Sequence, residues 1–310
     1  MKEFRTNVIK GLKSTPKHLH SKYLYDKRGD ELFQKIMNCD EYYLTNCELE
    51  IFQMQGKNIL DSVLKDIEKI DLIEFGPGDA TKSIYLVDDL VKRNAISTYI
   101  PIDISENIIT LLQSKFQVQF PTLNVDGLCG EFLEMLPVQS QHPRLILFTG
   151  ANIGNFNPDE AIEFLKLLNA KMSGGDCLLI GADLRKDPKT ILAAYNDAEG
   201  FSEEFALNLL HRINIELEGN FNVENFYHYP VYDPGTGGCK SYLISSEDQE
   251  VIVAENKFSF EKNEPLFIEI SQKYSLKELD TMALKSGFKA ISRFLDSREY
   301  FTDVIWQKGT

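Results

Sequence analysis

Between residues 71 and 184, short apolar runs bounded by Gly, Pro or Asp alternate with amphipathic stretches. No other feature of the chain constrains its fold as strongly. DLIEFGPG, STYIPIDIS, TLNVDGLCG, RLILFTGANIG and DCLLIGADL have the length and apolar continuity of buried strands. Between them TKSIYLVDDLVKRN, ENIITLLQSKFQ and DEAIEFLKLLNAKM repeat at helical spacing, the last with Pro158 suited to a first turn and Gly174-Gly175 past its end. Strands alternating with helices predict an α/β fold whose parallel sheet is covered on both faces.

The texture changes on either side of this region. Residues 1–66 read as helical: Gly29-Asp30 opens ELFQKIM, and CELEIFQMQGKNILDSVLKDI places Leu49, Phe52, Ile59, Leu60 and Val63 at near-helical spacing. From about residue 196 a helical stretch, AEGFSEEFALNLLHRINIELEG, leads into FYHYPVYDP, GCKSYLISS, EVIVAEN, KFSFEK and LFIEISQKYS. These are closely spaced strand candidates separated by Pro-Gly, Gly-Gly, Ser-Ser and Lys-Asn turns, the pattern of an antiparallel insert. A helix, SLKELDTMALKSGF, and two closing strands then return to the edge of the main sheet. The expected domains are a Rossmann-like core of residues 67–195 plus 276–310, and a second α+β domain that joins the N-terminal residues 1–66 to the inserted residues 196–275.

Charge and composition narrow the function. Against 33 Lys+Arg stand 47 Asp+Glu, a net charge of -14, which disfavours a binder of nucleic-acid backbones and points to small-molecule partners. No apolar run approaches the ~20 residues of a membrane span. The opening MKEFRTNVIKGLKST lacks the apolar stretch of a secretory signal, so a cytoplasmic protein is expected. The five cysteines form no CxxC or Cys/His cluster and the histidines no HExxH. Reduced thiols and no metal site are the expectation.

Glu74-Phe75-Gly76-Pro77-Gly78 ends the first strand and precedes a helix, where the backbone must turn sharply and a ligand can come close. A dinucleotide fingerprint wants a glycine three residues after Gly78, and this chain has Thr81. That argues against a dinucleotide oxidoreductase. The loop alone fits either a ligand-free turn or a nucleoside without a pyrophosphate, such as S-adenosylmethionine, whose Rossmann-like methyltransferases carry E-x-G-x-G there. Asp103, at the end of the second strand, can accept two hydrogen bonds from a ribose diol.

A more specific likeness runs from residue 15 to about 275. Tyr25-Asp26-x-Arg28-Gly29-x-Glu31-Leu32-Phe33, Glu41-Tyr42-Tyr43-x-Thr45, Glu74-x-Gly76-x-Gly78 with Lys82, and Asp103-x-Ser105 come first. Gly130-Glu131-Phe132, Gly150-x-x-Ile153-Gly154-Asn155, Asp183-Leu184-x-Lys186-Asp187-Pro188 with Tyr195 and Asp197, and Glu269-Ile270-Ser271-x-Lys273 follow in order. The chain resembles the L-histidine Nα-methyltransferases of the ergothioneine pathway. The resemblance implies a Rossmann-like methyltransferase that moves three methyl groups from S-adenosylmethionine to the α-amine of free L-histidine, giving hercynine. The alternative is an S-adenosylmethionine-dependent N-methyltransferase acting on a different amino acid or small amine. A monomer is expected.

Carried over by position, the resemblance puts Gly76, Gly78, Lys82, Asp103, Glu131 and Phe132 around the cofactor. It puts Asn155 and Tyr195 on the substrate carboxylate, Tyr42, Glu269 and Ser271 on the imidazole, and Phe33 and Gly150 about the amine with Tyr25 as the catalytic residue. Where the family offers an apolar pocket side chain, this chain offers Ser241 in GCKSYLISS. As i and i+2 on a strand, Glu269 and Ser271 share one face. From pattern alone that face would more often meet solvent.

Overall fold

In the computed structural model, which describes residues 2–65, 67–137 and 140–309, the elements follow in chain order. The first part contains α1 (Lys2–Lys13), α2 (Lys27–Met37), α3 (Tyr43–Leu64), β1 (Ile70–Phe75), α4 (Ile84–Lys92), β2 (Ile96–Asp103) and α5 (Glu106–Gln119). Next come β3 (Asn124–Val125), β4 (Leu128–Cys129), α6 (Phe132–Met135), β5 (Arg144–Phe148), α7 (Pro158–Lys171), β6 (Cys177–Asp183), α8 (Pro188–Ala193) and α9 (Phe201–Glu216). The last part holds β7 (Phe226–Asp233), β8 (Gly238–Ser245), β9 (Gln249–Val253), β10 (Asn256–Phe260), β11 (Pro265–Gln272), α10 (Leu276–Lys285), β12 (Phe288–Leu295) and β13 (Phe301–Lys308).

The chain divides into two units, Met1–Tyr43 with Lys186–Gln272 and Leu44–Arg185 with Lys273–Thr310. The cuts thus fall at 43, 185 and 272, where the sequence suggested 66, 195 and 275. The reason for the first shift is α3: its Glu48 is wholly buried and bonded to Gly150 and Lys82, which ties the helix to the sheet rather than to the N-terminal helices.

The sheet unit is built on strands in the order β12-β13-β6-β5-β1-β2-β3, with β4 also on β2. β1 pairs in parallel with β2 and β5, and β5 with β6. β13 lies antiparallel against β6, and β12 antiparallel against β13. Every residue of β1, β5 and β6 is buried, which is why these strands read as near-continuous apolar runs. Strand order reverses between β1 and β5, and an open parallel sheet offers its ligand crevice outside the strand ends at such a point. This is the Rossmann-like α/β class that the alternation predicted.

TLNVDGLCG does not form one strand. Asp126-Gly127 breaks it into β3, paired at Thr98 and Tyr99, and β4, paired at Ile102 and Asp103. The glycine is needed there because a Cβ would stand 2.6 Å from Ile109 Cγ2. Pro158 takes the first turn of α7 as expected, and Asn157 and Glu160 add a reciprocal capping box.

In the other unit, β11, β8 and β7 form a three-stranded antiparallel sheet and β9 and β10 a hairpin. Phe4 and Val8 of α1, Leu32 of α2, Phe205 and Leu209 of α9, Leu243 of β8 and Ile268 of β11 share its core. α2 starts at Lys27, two residues before the expected Gly29, because Asp26 caps it by accepting the Gly29 N–H at 2.7 Å. The same carboxylate accepts Asn208 Nδ2 of α9 at 2.8 Å. Gly29 is held for space: a Cβ would lie 1.9 Å from the Leu24 carbonyl oxygen. Two residues of the Tyr25-Asp26-x-Arg28-Gly29 motif are therefore structural, and they fix the turn that presents Tyr25. Gly29→Ala should lower stability by about 1–3 kcal/mol or more through overpacking against backbone, read as a shifted denaturant midpoint at unchanged slope.

Candidate active site

At the carboxyl end of β1 the chain turns through two left-handed glycines, Gly76 at φ +60° and Gly78 at φ +55°. Around Gly76 a Cβ would find Asn152 Nδ2 at 3.4 Å and Phe132 Cζ at 3.5 Å, ordinary contact distances, so it is the left-handed φ and not space that calls for glycine. Two left-handed positions flanking Pro77 make a turn that glycine adopts without strain. Phe132 stacks on Phe75 at 4.9 Å with rings 5° from parallel, which sets an apolar plate beside the Gly76 turn. Glu131 lies at the start of the same short helix and is exposed.

Asp103 closes β2, accepts the Ser105 N–H at 2.8 Å, and is pushed up from the ordinary carboxylate range by burial. Gly150, at φ +71°, begins the turn after β5, and a Cβ there would lie 3.5 Å from Lys82 Nζ. Lys82 itself is paired with Glu48; burial works against its charge, but the Glu48 carboxylate outweighs that and raises its pKa. Asn155 ends a 3-10 turn, Asn152–Asn155, and is exposed. All of these residues belong to the sheet unit.

The remaining residues fall in the other unit. Tyr25 meets Phe33 edge-on at 5.5 Å and Phe205 at 5.4 Å, Phe33 meets Tyr42 at 6.0 Å, and Tyr42 meets Tyr195 at 6.4 Å. Tyr195 Oη donates to Ser271 Oγ at 2.7 Å. On β11, Glu269 and Ser271 lie opposite Ser241 and Cys239 of β8, so all four occupy one face of the sheet. A register shift between Phe267 and Glu269 precedes them, a device that re-aims side chains beside functional sites. Ser241 and Ser271 are buried and Glu269 half-buried. The Tyr25 phenol is held well above its ordinary pKa by burial first and by the Glu269 carboxylate second. Asn155 and Tyr195, which the resemblance sets on one carboxylate, belong to different units.

Two carboxylates were not singled out as site residues by the sequence reading. Glu48 is the acid on a buried helical stripe of Leu44, Cys47, Ile51 and Phe52, and that misplaced charge was the available signal. Glu74 accepts Tyr99 Oη at 2.6 Å within β1 and is pushed up to about 7 by burial. Among the described residues no group of three His, Cys, Asp or Glu side chains could hold a metal ion, and no helix is long and apolar enough to cross a membrane.

A sheet of this strand order, with glycine turns after β1 and a carboxylate ending β2, is the Rossmann-like arrangement that binds nucleoside cofactors at its strand ends. The solved structure of the mitomycin 7-O-methyltransferase MmcR shares the fold at a TM-score of 0.51 and 11% identity, covering 93% of this chain and 59% of that one. The chain belongs to the family of histidine-specific, S-adenosylmethionine-dependent methyltransferases, which it matches over residues 4–308. It is 30% identical over 295 residues to the histidine N-alpha-methyltransferase of Mycobacterium tuberculosis, spanning 94% of this chain and 91% of that protein. It is also 30% identical over 297 residues to ergothioneine biosynthesis protein 1 of Schizosaccharomyces pombe, spanning 93% of this chain and 38% of that larger protein.

Glu74 gives the cofactor end a stability signature. Its pKa in the fold, about 7, exceeds the ordinary 4.5, so the folded state binds the proton more tightly. That stability is fully present below about 4.5 and is lost as pH rises through about 7. Relative to wild type, Glu74→Gln should therefore gain stability between about pH 5 and pH 8. Denaturant midpoints of both proteins across that range check it, and a constant difference would contradict it.

Proposed function

We propose that this chain methylates the α-amine of free L-histidine, three times in succession, to give hercynine in ergothioneine biosynthesis. The observation that carries the reading is the polar row on β11. Glu269 and Ser271 share one face, Ser271 is bonded to Tyr195, and a run of aromatic rings from Tyr195 to Tyr25 belongs to the same unit. A carboxylate and a hydroxyl two residues apart can accept from one imidazole nitrogen and exchange a bond with the other. An apolar rival would desolvate the carboxylate without offering it a hydrogen bond, at about 1–3 kcal/mol or more.

In this reading Tyr42, Glu269 and Ser271 hold the imidazole, and Asn155 and Tyr195 bind the carboxylate as neutral donors, the Tyr195 hydroxyl turning from Ser271 to the substrate. Tyr25, Phe33 and Gly150 surround the amine. Gly76 and Gly78 let the backbone approach the cofactor, Asp103 accepts from its ribose, Lys82 contacts it, and Glu131 with Phe132 borders its base. S-adenosylmethionine supplies an activated methyl on sulfonium. No protein nucleophile is required, and the attacking amine must only be neutral and oriented. Because Tyr25 stays a phenol, it orients the amine and faces the growing cation instead of serving as a base; a ring so placed is worth about 0.5–2 kcal/mol. An α-amine with a reference pKa of ~7.7–8.0 has a neutral fraction at physiological pH without a strong base. We also read the protein as a cytoplasmic monomer that does not act on nucleic acid.

Mass spectrometry of reactions offering each proteinogenic amino acid should show trimethylated histidine as the main product. Methylation of another amino acid in preference to histidine would overturn the reading. Glu269→Ala should raise KM for histidine about tenfold or more and relax discrimination against other amino acids, while cofactor affinity stays near wild type. Histamine, which lacks the carboxylate, should be a poor substrate; equal kcat/KM for histamine and histidine would remove Asn155 and Tyr195 from their role.

A further inference from the structure

Glu48, on α3, is wholly buried in the sheet unit. Its two oxygens accept the Gly150 N–H, at 2.8 and 3.0 Å, and Oε2 also takes the Lys82 ammonium. The space for this carboxylate is cut by Gly181 of β6, where a Cβ would stand 2.1 Å from Glu48 Oε1. Opposite Gly181 on β13 lies Asp303, wholly buried, with no hydrogen-bond partner for either carboxyl oxygen among the described residues. Burial, and then the Glu48 charge, hold the Asp303 carboxyl well above its ordinary range, with Lys82 pulling the other way. The niche therefore brings two carboxyl groups, Glu48 and Asp303, to one ammonium, that of Lys82.

We propose that Glu48 is a positioning residue for cofactor binding: one carboxylate takes both the Gly150 N–H and the Lys82 ammonium, and so fixes the lysine against the glycine turn that ends β5. The proposal rests on the reading that Lys82 contacts the cofactor. Geometry makes the two bonds separable. A glutamine in place of Glu48 would still offer an oxygen to Gly150, but it would turn an uncharged amide toward Lys82. The freed ammonium then has another carboxyl within its field, because Asp303 also acts on Lys82 electrostatically. Loss of the Glu48 charge should thus misplace Lys82 while leaving the turn after β5 bonded.

The test is a thermodynamic cycle read by calorimetry with S-adenosylhomocysteine on the full-length protein, using Glu48→Gln, Lys82→Met and the double variant. Glu48→Gln should weaken binding about ten- to a hundredfold, as expected for a lost charge-assisted bond. The double variant should bind no more weakly than Lys82→Met, because Glu48 acts through the lysine. The double variant removes the Glu48–Lys82 pair as a unit, so the comparison with Lys82→Met stands even where Glu48→Gln alone fails to fold. A purely structural Glu48 would lower the melting temperature and leave affinity within twofold well below the melt, and that result overturns the proposal. So does a further loss of the same size when Glu48→Gln is added to Lys82→Met. Wild-type protein that does not bind S-adenosylhomocysteine would instead refute the cofactor site itself, and wild-type binding that survives Lys82→Met unchanged would remove the contact on which the proposal rests.

Discussion

A carboxylate removed from water costs several kcal/mol unless its partners replace the lost hydration, and Glu48 meets that demand inside the sheet unit. Its bonds to the Gly150 amide and the Lys82 ammonium join α3 to the turn after β5 and to the segment leading into α4. Gly181 has no side chain because the Glu48 carboxylate occupies that volume. Burial, and then repulsion from the Glu48 charge, push the Asp303 carboxyl up from its ordinary range. A helix, two turns and two strands are thus arranged around one charge, next to the point where strand order reverses and a ligand crevice opens.

The other unit solves a comparable problem with capping. Asp26 closes the first turn of α2 and reaches Asn208 of α9, while Gly29 lets the Leu24 carbonyl pass where a Cβ would collide. Two helices and the Ser21–Leu24 turn are fixed together, and Tyr25 leaves that turn into a group of rings that includes Phe33 and Phe205. Conformational freedom is removed before any ligand arrives, which is what preorganisation of a binding site requires. The motif Tyr25-Asp26-x-Arg28-Gly29 therefore combines one aromatic side chain, to which the proposed reading gives a role at the amine, with two residues that hold it in place.

The parallel sheet was legible because strands buried on both faces leave apolar runs too continuous to be helices or half-exposed strands. The glycine turn after β1 was legible for a similar reason, since Gly76 and Gly78 mark backbone that other residues adopt only under strain. The split of TLNVDGLCG was less so: Asp126-Gly127 is a turn pair, but the collision with Ile109 that demands a glycine comes from α5. The boundary at Tyr43 was not legible at all, because helical periodicity places α3 on an apolar neighbour without saying which one. Only the partners of Glu48, on segments distant in sequence, decide that. The register shift before Glu269 likewise depends on β8 and leaves no trace in IEIS.

Protonation sets a limit on what the aromatic cluster can do. Burial and the Glu269 charge both favour the protonated phenol of Tyr25, so the more closely an acid accompanies that ring, the less it can act as a general base. The Glu269 charge and the ring faces favour a cation beside it, against the cost of burying that charge. Methyl transfer to an amine produces such a charge and keeps it after the third methyl, when no N–H remains to donate. In the proposed reading, a site that depended on hydrogen bonds to the amine would lose its hold on the substrate as methylation proceeded. Ring faces and a fixed carboxylate would keep theirs at every stage, which is how the proposed reading lets one pocket serve three successive transfers.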